Sequence, residues 1–236
     1  MCYSLPMKIK DSIAIVTGAS EGIGRATARE LAKRGATVVL AARSADKLAA
    51  LSAEIPGSFV VPTDMRKSDE IKKLIAATQE KFGRVDILIN NAGQGLMAPI
   101  EEIKLSDYRE IMELNVFSVL EAMHAAIPVM RAQGGGTILN VSSMVSKNYF
   151  PGLAAYASTK YALNALSLTA RAELEKDKIT VSVFHPKMTA TGFGENSRGD
   201  KYISSAGRPG MQVDTPEMVA EKMADQIESG AAEANM

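Results

Sequence analysis

The sequence predicts an α/β protein: one doubly wound, mostly parallel sheet in a single domain, with helices on both faces. Short apolar runs rich in β-branched residues alternate six times with longer amphipathic stretches, and a glycine-rich turn follows the first run. Parallel strands need crossover connections, and right-handed crossovers place helices on both sides of a sheet. A chain of 236 residues can bury a sizeable core, and no linker or low-complexity stretch divides it, so one domain is expected over 1–236.

The runs "SIAIVTG", "TVVLAA", "SFVVPT", "VDILINN", "GTILNVSS" and "TVSVFHP" read as buried strands. The first helix runs through "RATARELAKRG", with Lys33 and Arg34 in its last turn and Gly35 as the stop. Ser44 is placed to cap the second helix, and Ser68 the third. Ser106 and Asp107 should open a long helix ending near "RAQGGG", and Thr215-Pro216-Glu217 should open the last. Residues 189–214, "TATGFGENSRGDKYISSAGRPGMQVD", break the alternation and read as an irregular, mobile substrate loop. The loop follows the sixth strand, at the carboxyl edge where open α/β sheets bind ligands.

The turn "IVTGASEGIG", residues 15–24, admits two chemistries. From Gly18 it reads G-x-S-x-G, the elbow that exposes a nucleophile in serine hydrolases, here Ser20. From Thr17 it reads T-G-x-x-x-G-x-G, a turn whose bare backbone lets a pyrophosphate approach a helix N-terminus. Its spacing differs from the common G-x-G-x-x-G. Position favours the phosphate cradle. The turn follows the first strand, so no earlier strand can supply an oxyanion hole, and Gly24 has no role in an elbow.

The second strand ends in Ala41 and Ala42, where an NAD site would carry an acid for the ribose hydroxyl, and Arg43 follows. An arginine pairs with a 2′-phosphate, so NADP(H) is the expected cofactor. "AAYASTKYAL" sets Tyr156 and Lys160 four apart on one helix face, where an ammonium can ease ionisation of a phenol.

With these features the chain resembles the short-chain dehydrogenase/reductase family, from about Ile9 to Asp214. The resemblance implies a Rossmann-type sheet of order 3-2-1-4-5-6 with at most a short seventh strand, since the chain stops at "AAEANM". It implies cofactor contacts from Thr17, Gly18, Ser20, Glu21, Gly22, Ile23 and Gly24, and from Arg43, Asp64 and Met65. "NNAG" adds Asn91, Ala92 and Gly93; Pro186, Thr189 and Thr191 follow the sixth strand. Tyr156 and Lys160 complete this set.

The catalytic set it implies is Asn115, Ser143, Tyr156 and Lys160. Tyr156 would exchange a proton with the substrate oxygen and Ser143 would hydrogen-bond that oxygen. Lys160 would bind the nicotinamide ribose and tune Tyr156, and Asn115 would complete a proton path. Ser142, one position off, is expected to be structural. Three departures stand out: Pro186-Lys187 in place of Pro-Gly, Thr189 in place of Val or Ile, and acidic Glu21 where some NADP-dependent members carry a base. Met97, Met144, Tyr149, Phe150 and Met188 are candidates for an apolar pocket.

The implied function is hydride transfer between NADP(H) and a small-molecule carbonyl or alcohol, by a homodimer or homotetramer. A catalytically idle NADP-binding regulator on the same fold, and a Ser20 hydrolase, are the alternatives. Lysine plus arginine and aspartate plus glutamate number 27 each, which argues against nucleic-acid or acidic-membrane partners. One cysteine, Cys2, and no signal-like start suit the cytoplasm. His124 and His185 are too isolated to bind a metal, and His124 is expected to be a packing residue.

Overall fold

The computed structural model describes residues 7–199 and 213–236. Cys2 and residues 200–212 of the expected loop lie outside them. Seven strands form one parallel sheet: β1 (Ile13–Thr17), β2 (Thr37–Ala42), β3 (Phe59–Pro62), β4 (Ile87–Asn90), β6 (Gly136–Val141), β7 (Ile179–His185) and β9 (Glu233–Asn235). Their order is β3-β2-β1-β4-β6-β7-β9, which is the expected order once the short final strand is added.

Side chains along each strand alternate between two cores. Ala14, Val16, Val38, Leu40, Ile87, Ile89, Leu139 and Phe184 face one, with Leu31, Val219, Met223 and Ile227. Ile13, Ile15, Val39, Leu88, Ile138 and Val181 face the other, with Ile71, Leu74, Met123 and Leu163. Because both faces are covered, the strands read as continuous apolar runs rather than alternating ones.

One face carries α1 (Gly22–Lys33), α2 (Ala45–Glu54) and α7 (Pro216–Ser229); the other carries α3 (Ser68–Phe82), α5 (Ser118–Ala132) and α6 (Ala154–Leu174). In α3, Ile71, Leu74, Ile75 and Thr78 are buried at helical spacing, and Gly83 at φ 76° closes the helix. Thr215 caps α7 as expected, accepting from Met218 N at 3.2 Å. Ser44 makes no side-chain cap bond, and Ser68 is already the first residue of α3, with Lys67 in the cap position.

The expected helix at Ser106 begins one residue earlier, as α4 (Leu105–Met112), and passes through a π-helical turn, Glu113–Phe117, into α5. A π turn inserts one residue per turn and often marks a functional site. Here it carries Asn115. His124 is exposed on α5 rather than packed, because the apolar stripe of that helix runs through Val119, Met123, Ala126 and Met130.

One connection was not anticipated. β5 (Leu96–Met97) pairs in parallel with β8 (Arg198–Gly199), so part of the expected irregular loop is a strand. The last strand is short but firmly held. Gln226 Nε2 donates to the carbonyls of Val183 and Ala231 at 3.0 and 3.1 Å, and Arg171 Nη2 donates to that of Gly230 at 2.8 Å. No helix among the described residues is long and apolar enough to cross a membrane.

Candidate active site

The site opens at the β1–α1 turn. Gly18 and Gly22 have φ of 66° and 54°, a region open to glycine without strain. Gly24 is required for a different reason: a Cβ there would lie 2.2 Å from the Gly18 carbonyl oxygen and 2.5 Å from Asn91 Nδ2. Its bare face lets α1 begin directly behind the turn. Thr17 Oγ1 donates to the Ile89 carbonyl and accepts from the amides of Asn91 and Ala92 at 3.0 and 3.1 Å, locking the turn to "NNAG". Ala19 N bonds the Ala41 carbonyl at 3.1 Å, bringing the end of β2, and with it Arg43, alongside the turn.

Glu21 occupies the cap position of α1 without capping it; its carboxylate pairs with Lys47 Nζ at 2.8 Å. Beyond β3, Asp64 Oδ1 accepts from Arg66 N at 3.0 Å and Met65 is buried beside it. The Ser20 elbow finds no base. Both ring nitrogens of His185 are engaged elsewhere, by Ser146 and Glu233, and His124 faces solvent. The hydrolase reading therefore finds no free histidine base among the described residues.

Of the four expected catalytic residues, Asn115, Tyr156 and Lys160 are tied together around the start of α6, and Ser143 lies two residues beyond the Val141 carbonyl that Lys160 holds. Ser143 leaves β6 in an extended conformation, and its Oγ accepts from Val145 N at 3.3 Å, leaving its own hydrogen to donate. Tyr156 and Lys160 lie on successive turns at the start of α6, 8% and 5% exposed. Lys160 Nζ donates to the Val141 carbonyl at 2.8 Å and stands 5.8 Å from the centre of the Tyr156 ring. Its burial pulls the ammonium from the ordinary 10.5 down to about 8. Asn115 Oδ1 accepts from Gln94 N, while its Nδ2 donates to the Gln94 carbonyl and to Thr159 Oγ1, all within 2.9–3.1 Å. The π turn is thereby tied to α6 one helical turn from Tyr156.

Gly93 joins the two ends of the cleft. A Cβ on Gly93 would sit 3.2 Å from Asn115 Oδ1 and 3.7 Å from Lys160 Nζ. The glycine turn, "NNAG" and the Lys160 ammonium therefore follow one another in close contact. A glycine turn at the start of a helix fits a phosphate-bearing dinucleotide.

After β7, the Pro186 carbonyl accepts from Met144 N at 3.1 Å, and Thr189 Oγ1 donates to the Lys187 carbonyl at 3.0 Å. Thr191 lies over the glycine turn, its γ-methyl 3.1 Å from where a Gly22 Cβ would stand. Lys187 is exposed. Of the pocket candidates, Met97 lies on β5 and Met144 just after Ser143, both part-buried. Tyr149 lines no pocket: it is 90% exposed and stacks on Tyr161. Ser142 is structural, donating to Asn164 Oδ1 at 2.6 Å.

Several residues at the site escaped the sequence reading. Phe193 packs against Tyr156, ring centres 5.6 Å apart. Asn196 Nδ2 donates to Glu21 Oε1 at 2.9 Å, and its carbonyl accepts from Gln94 Nε2 at 2.7 Å. Arg198 pairs with Asp107 at 2.8 Å and with Glu110, and donates to Gln94 Oε1 at 3.2 Å. The segment from Thr191 to Arg198 thus spans the cleft from the glycine turn to α4. Only the position of Gln94, directly after "NNAG", could have flagged it. Among the described residues, no group of three or more His, Cys, Asp or Glu could hold a metal ion.

Comparison with known proteins agrees with this geometry. The family model described as short chain dehydrogenase matches residues 12–201. An uncharacterized oxidoreductase of Methylorubrum extorquens is 37% identical over 214 residues, covering 89% of this chain and 84% of that protein. An uncharacterized oxidoreductase of Staphylococcus saprophyticus is 35% identical over 187 residues, covering 78% of this chain and 76% of that one. A dehydrogenase/reductase from Sinorhizobium meliloti superposes with a TM-score of 0.86 at 28% identity, over 97% of this chain and 95% of its own. An alcohol dehydrogenase from the archaeon Thermococcus sibiricus, complexed with 5-hydroxy-NADP, gives 0.84 at 28% identity over 96% of both chains.

Proposed function

The chain belongs to the short-chain dehydrogenase/reductase family of oxidoreductases, and from that premise we propose that it transfers hydride between NADP(H) and a small carbonyl/alcohol pair. The observation that carries this reading is the glycine turn locked by Thr17 to "NNAG", whose Gly93 backs onto the Lys160 ammonium, a Cβ there standing 3.7 Å from Nζ. Thr17, Gly18, Ser20, Glu21, Gly22, Ile23 and Gly24 would hold the pyrophosphate end of the cofactor. Arg43 would take the 2′-phosphate, and Asp64 and Met65 the adenine. Asn91, Ala92, Gly93, Pro186, Thr189 and Thr191 would border the nicotinamide half. The bound nicotinamide supplies the hydride.

The protein supplies position and protons. During reduction Tyr156 gives its phenolic proton to the carbonyl oxygen, and Ser143 donates a hydrogen bond to that same oxygen as negative charge develops. A phenol is a weak acid near neutral pH, and the Lys160 ammonium favours its ionised form. Asn115 fixes the Gln94 backbone and, through Thr159, the helix that carries Tyr156. Phe193 over the Tyr156 ring gives the substrate space an aromatic wall and favours carbonyls with apolar substituents. The NADP complex of the Thermococcus relative supports the choice of cofactor.

An apolar groove between α5 and α6, lined by Val119, Met123, Leu163 and Leu166, supports assembly as a homodimer or homotetramer. The lone cysteine suits a cytoplasmic site.

The test is turnover of NADPH against carbonyls graded by size and charge. Tyr156→Phe should lower kcat at least a hundredfold while NADPH still binds. Turnover unchanged in that variant would overturn the mechanism; NADPH binding with no turnover in the wild type would favour the idle regulator.

A further inference from the structure

The end of the chain reaches the reaction centre through a buried imidazole. His185, the last residue of β7, is 1% exposed and pairs in register with Asn235 of β9. Its Nε2 lies 3.0 Å from Glu233 Oε1, the first residue of β9, and Lys147 Nζ holds that same oxygen at 2.7 Å. On the opposite side of the ring, Nδ1 lies 3.3 Å from Ser146 Oγ.

Ser146 completes the chain of contacts. Its hydroxyl donates to the Ser143 carbonyl at 2.6 Å and its amide donates to that carbonyl at 3.0 Å. Asn164 Nδ2 donates to Ser146 Oγ at 3.0 Å. Nε2 carries a hydrogen toward the Glu233 carboxylate, which can only accept, and Nδ1 packs against Ser146 Oγ at 3.3 Å. The line Glu233–His185–Ser146 therefore ends on the Ser143 carbonyl, in the main chain that carries the Ser143 hydroxyl. Nothing in the proton transfer assigned to Tyr156 and Lys160 uses these groups, and a neutral apolar residue would fill the site at lower desolvation cost.

We propose that Glu233 and His185 are positioning residues for Ser143, so that docking of the C-terminal strand holds the serine that polarises the substrate oxygen. The inference rests on the assignment of Ser143 to that oxygen. His185 touches neither substrate nor cofactor. It acts through the Ser143 main chain, while the Lys147 ammonium keeps the Glu233 carboxylate ionised opposite the ring. β9 thereby contributes to turnover without reaching the cleft.

The experiment is a set of variants measured in the intact chain with NADPH and the best carbonyl found in the panel. His185→Leu should lower kcat about tenfold with KM for NADPH within twofold. His185→Gln, whose Nε2 can keep an N–H toward Glu233, should recover most of that loss. Glu233→Gln, at a half-exposed position that does not threaten folding, should lower kcat about threefold. The deciding comparison is in a Ser143→Ala background. A residue acting through the Ser143 hydroxyl has nothing left to position, so adding His185→Leu or Glu233→Gln there should leave the residual kcat unchanged. The same loss persisting in Ser143→Ala, or wild-type kcat in both single variants, would overturn the proposal. Where His185→Leu fails to fold, Glu233→Gln in both backgrounds decides between the same two outcomes. If Ser143→Ala alone kept full turnover, the failure would lie with the role of Ser143 instead.

Discussion

Lys160 Nζ donates a 2.8 Å hydrogen bond to the carbonyl of Val141, joining the first turns of α6 to the last residue of β6. Among the described residues it is the one hydrogen bond of an ammonium that is almost fully buried. Burial draws its pKa from 10.5 to about 8. Between those two values the unfolded chain binds a proton that the folded chain has released, so stability rises as pH increases through the window. The penalty is fully present below about pH 8. Thermal melts of the cofactor-free protein from pH 7 to 10 should show this rise against the general alkaline trend, and Lys160→Met should remove it. That variant should gain about 2 kcal/mol at pH 7, roughly 5 °C in Tm for a chain of this length, and lose turnover.

Cofactor choice should depend on Arg43 more than on the glycine turn. A charged hydrogen bond to phosphate contributes about 1.5–3 kcal/mol. Arg43→Ala should therefore weaken NADPH binding about 10- to 100-fold and leave NADH within threefold, as read by fluorescence titration. Glu21 is paired with Lys47 and Asn196. Glu21→Gln should free Lys47 and tighten NADPH a few-fold, and the gain should fade in high salt.

Among the glycines, Gly24 should be the least replaceable. Its added Cβ would meet a backbone oxygen at 2.2 Å, so the turn or the helix must move. Gly24→Ala should cost about 2–3 kcal/mol in denaturant unfolding and reduce NADPH affinity at least a hundredfold. Gly192→Ala, where the nearest atom would be 3.7 Å away, should be close to neutral in both assays.

The segment over the cleft should behave as a latch. Arg198 is its main tie, reaching Asp107, Glu110 and Gln94 from a part-buried position. Arg198→Ala should raise KM for the carbonyl several-fold with kcat nearly unchanged. It should also speed protease cleavage between residues 191 and 199. A wild-type KM together with wild-type protection would mean the segment is passive.

Much of this architecture is legible in local sequence. A strand covered on both faces must be apolar throughout, and the turn behind it must be free of side chains where a helix starts close by. Those demands are written into "SIAIVTG" and into Gly18, Gly22 and Gly24. The i,i+4 pair Tyr156 and Lys160 is legible for a related reason, since helical pitch alone puts both on one face. The π turn at Asn115 was not, because only packing against Gln94 and Thr159 distinguishes it from ordinary helix.

Periodicity encodes which face of an element is buried; it carries no address for the group that face will meet. His185 and Glu233 are separated by 48 positions, and the parallel pairing of β9 with β7 is what makes them neighbours. Arg198 likewise could have paired with any of many carboxylates, and folding selected the two on α4. Long-range charge and hydrogen-bond partners depend on where the sheet places whole elements, so only the folded molecule reveals that its last strand meets His185 and that its loop over the cleft packs against Tyr156.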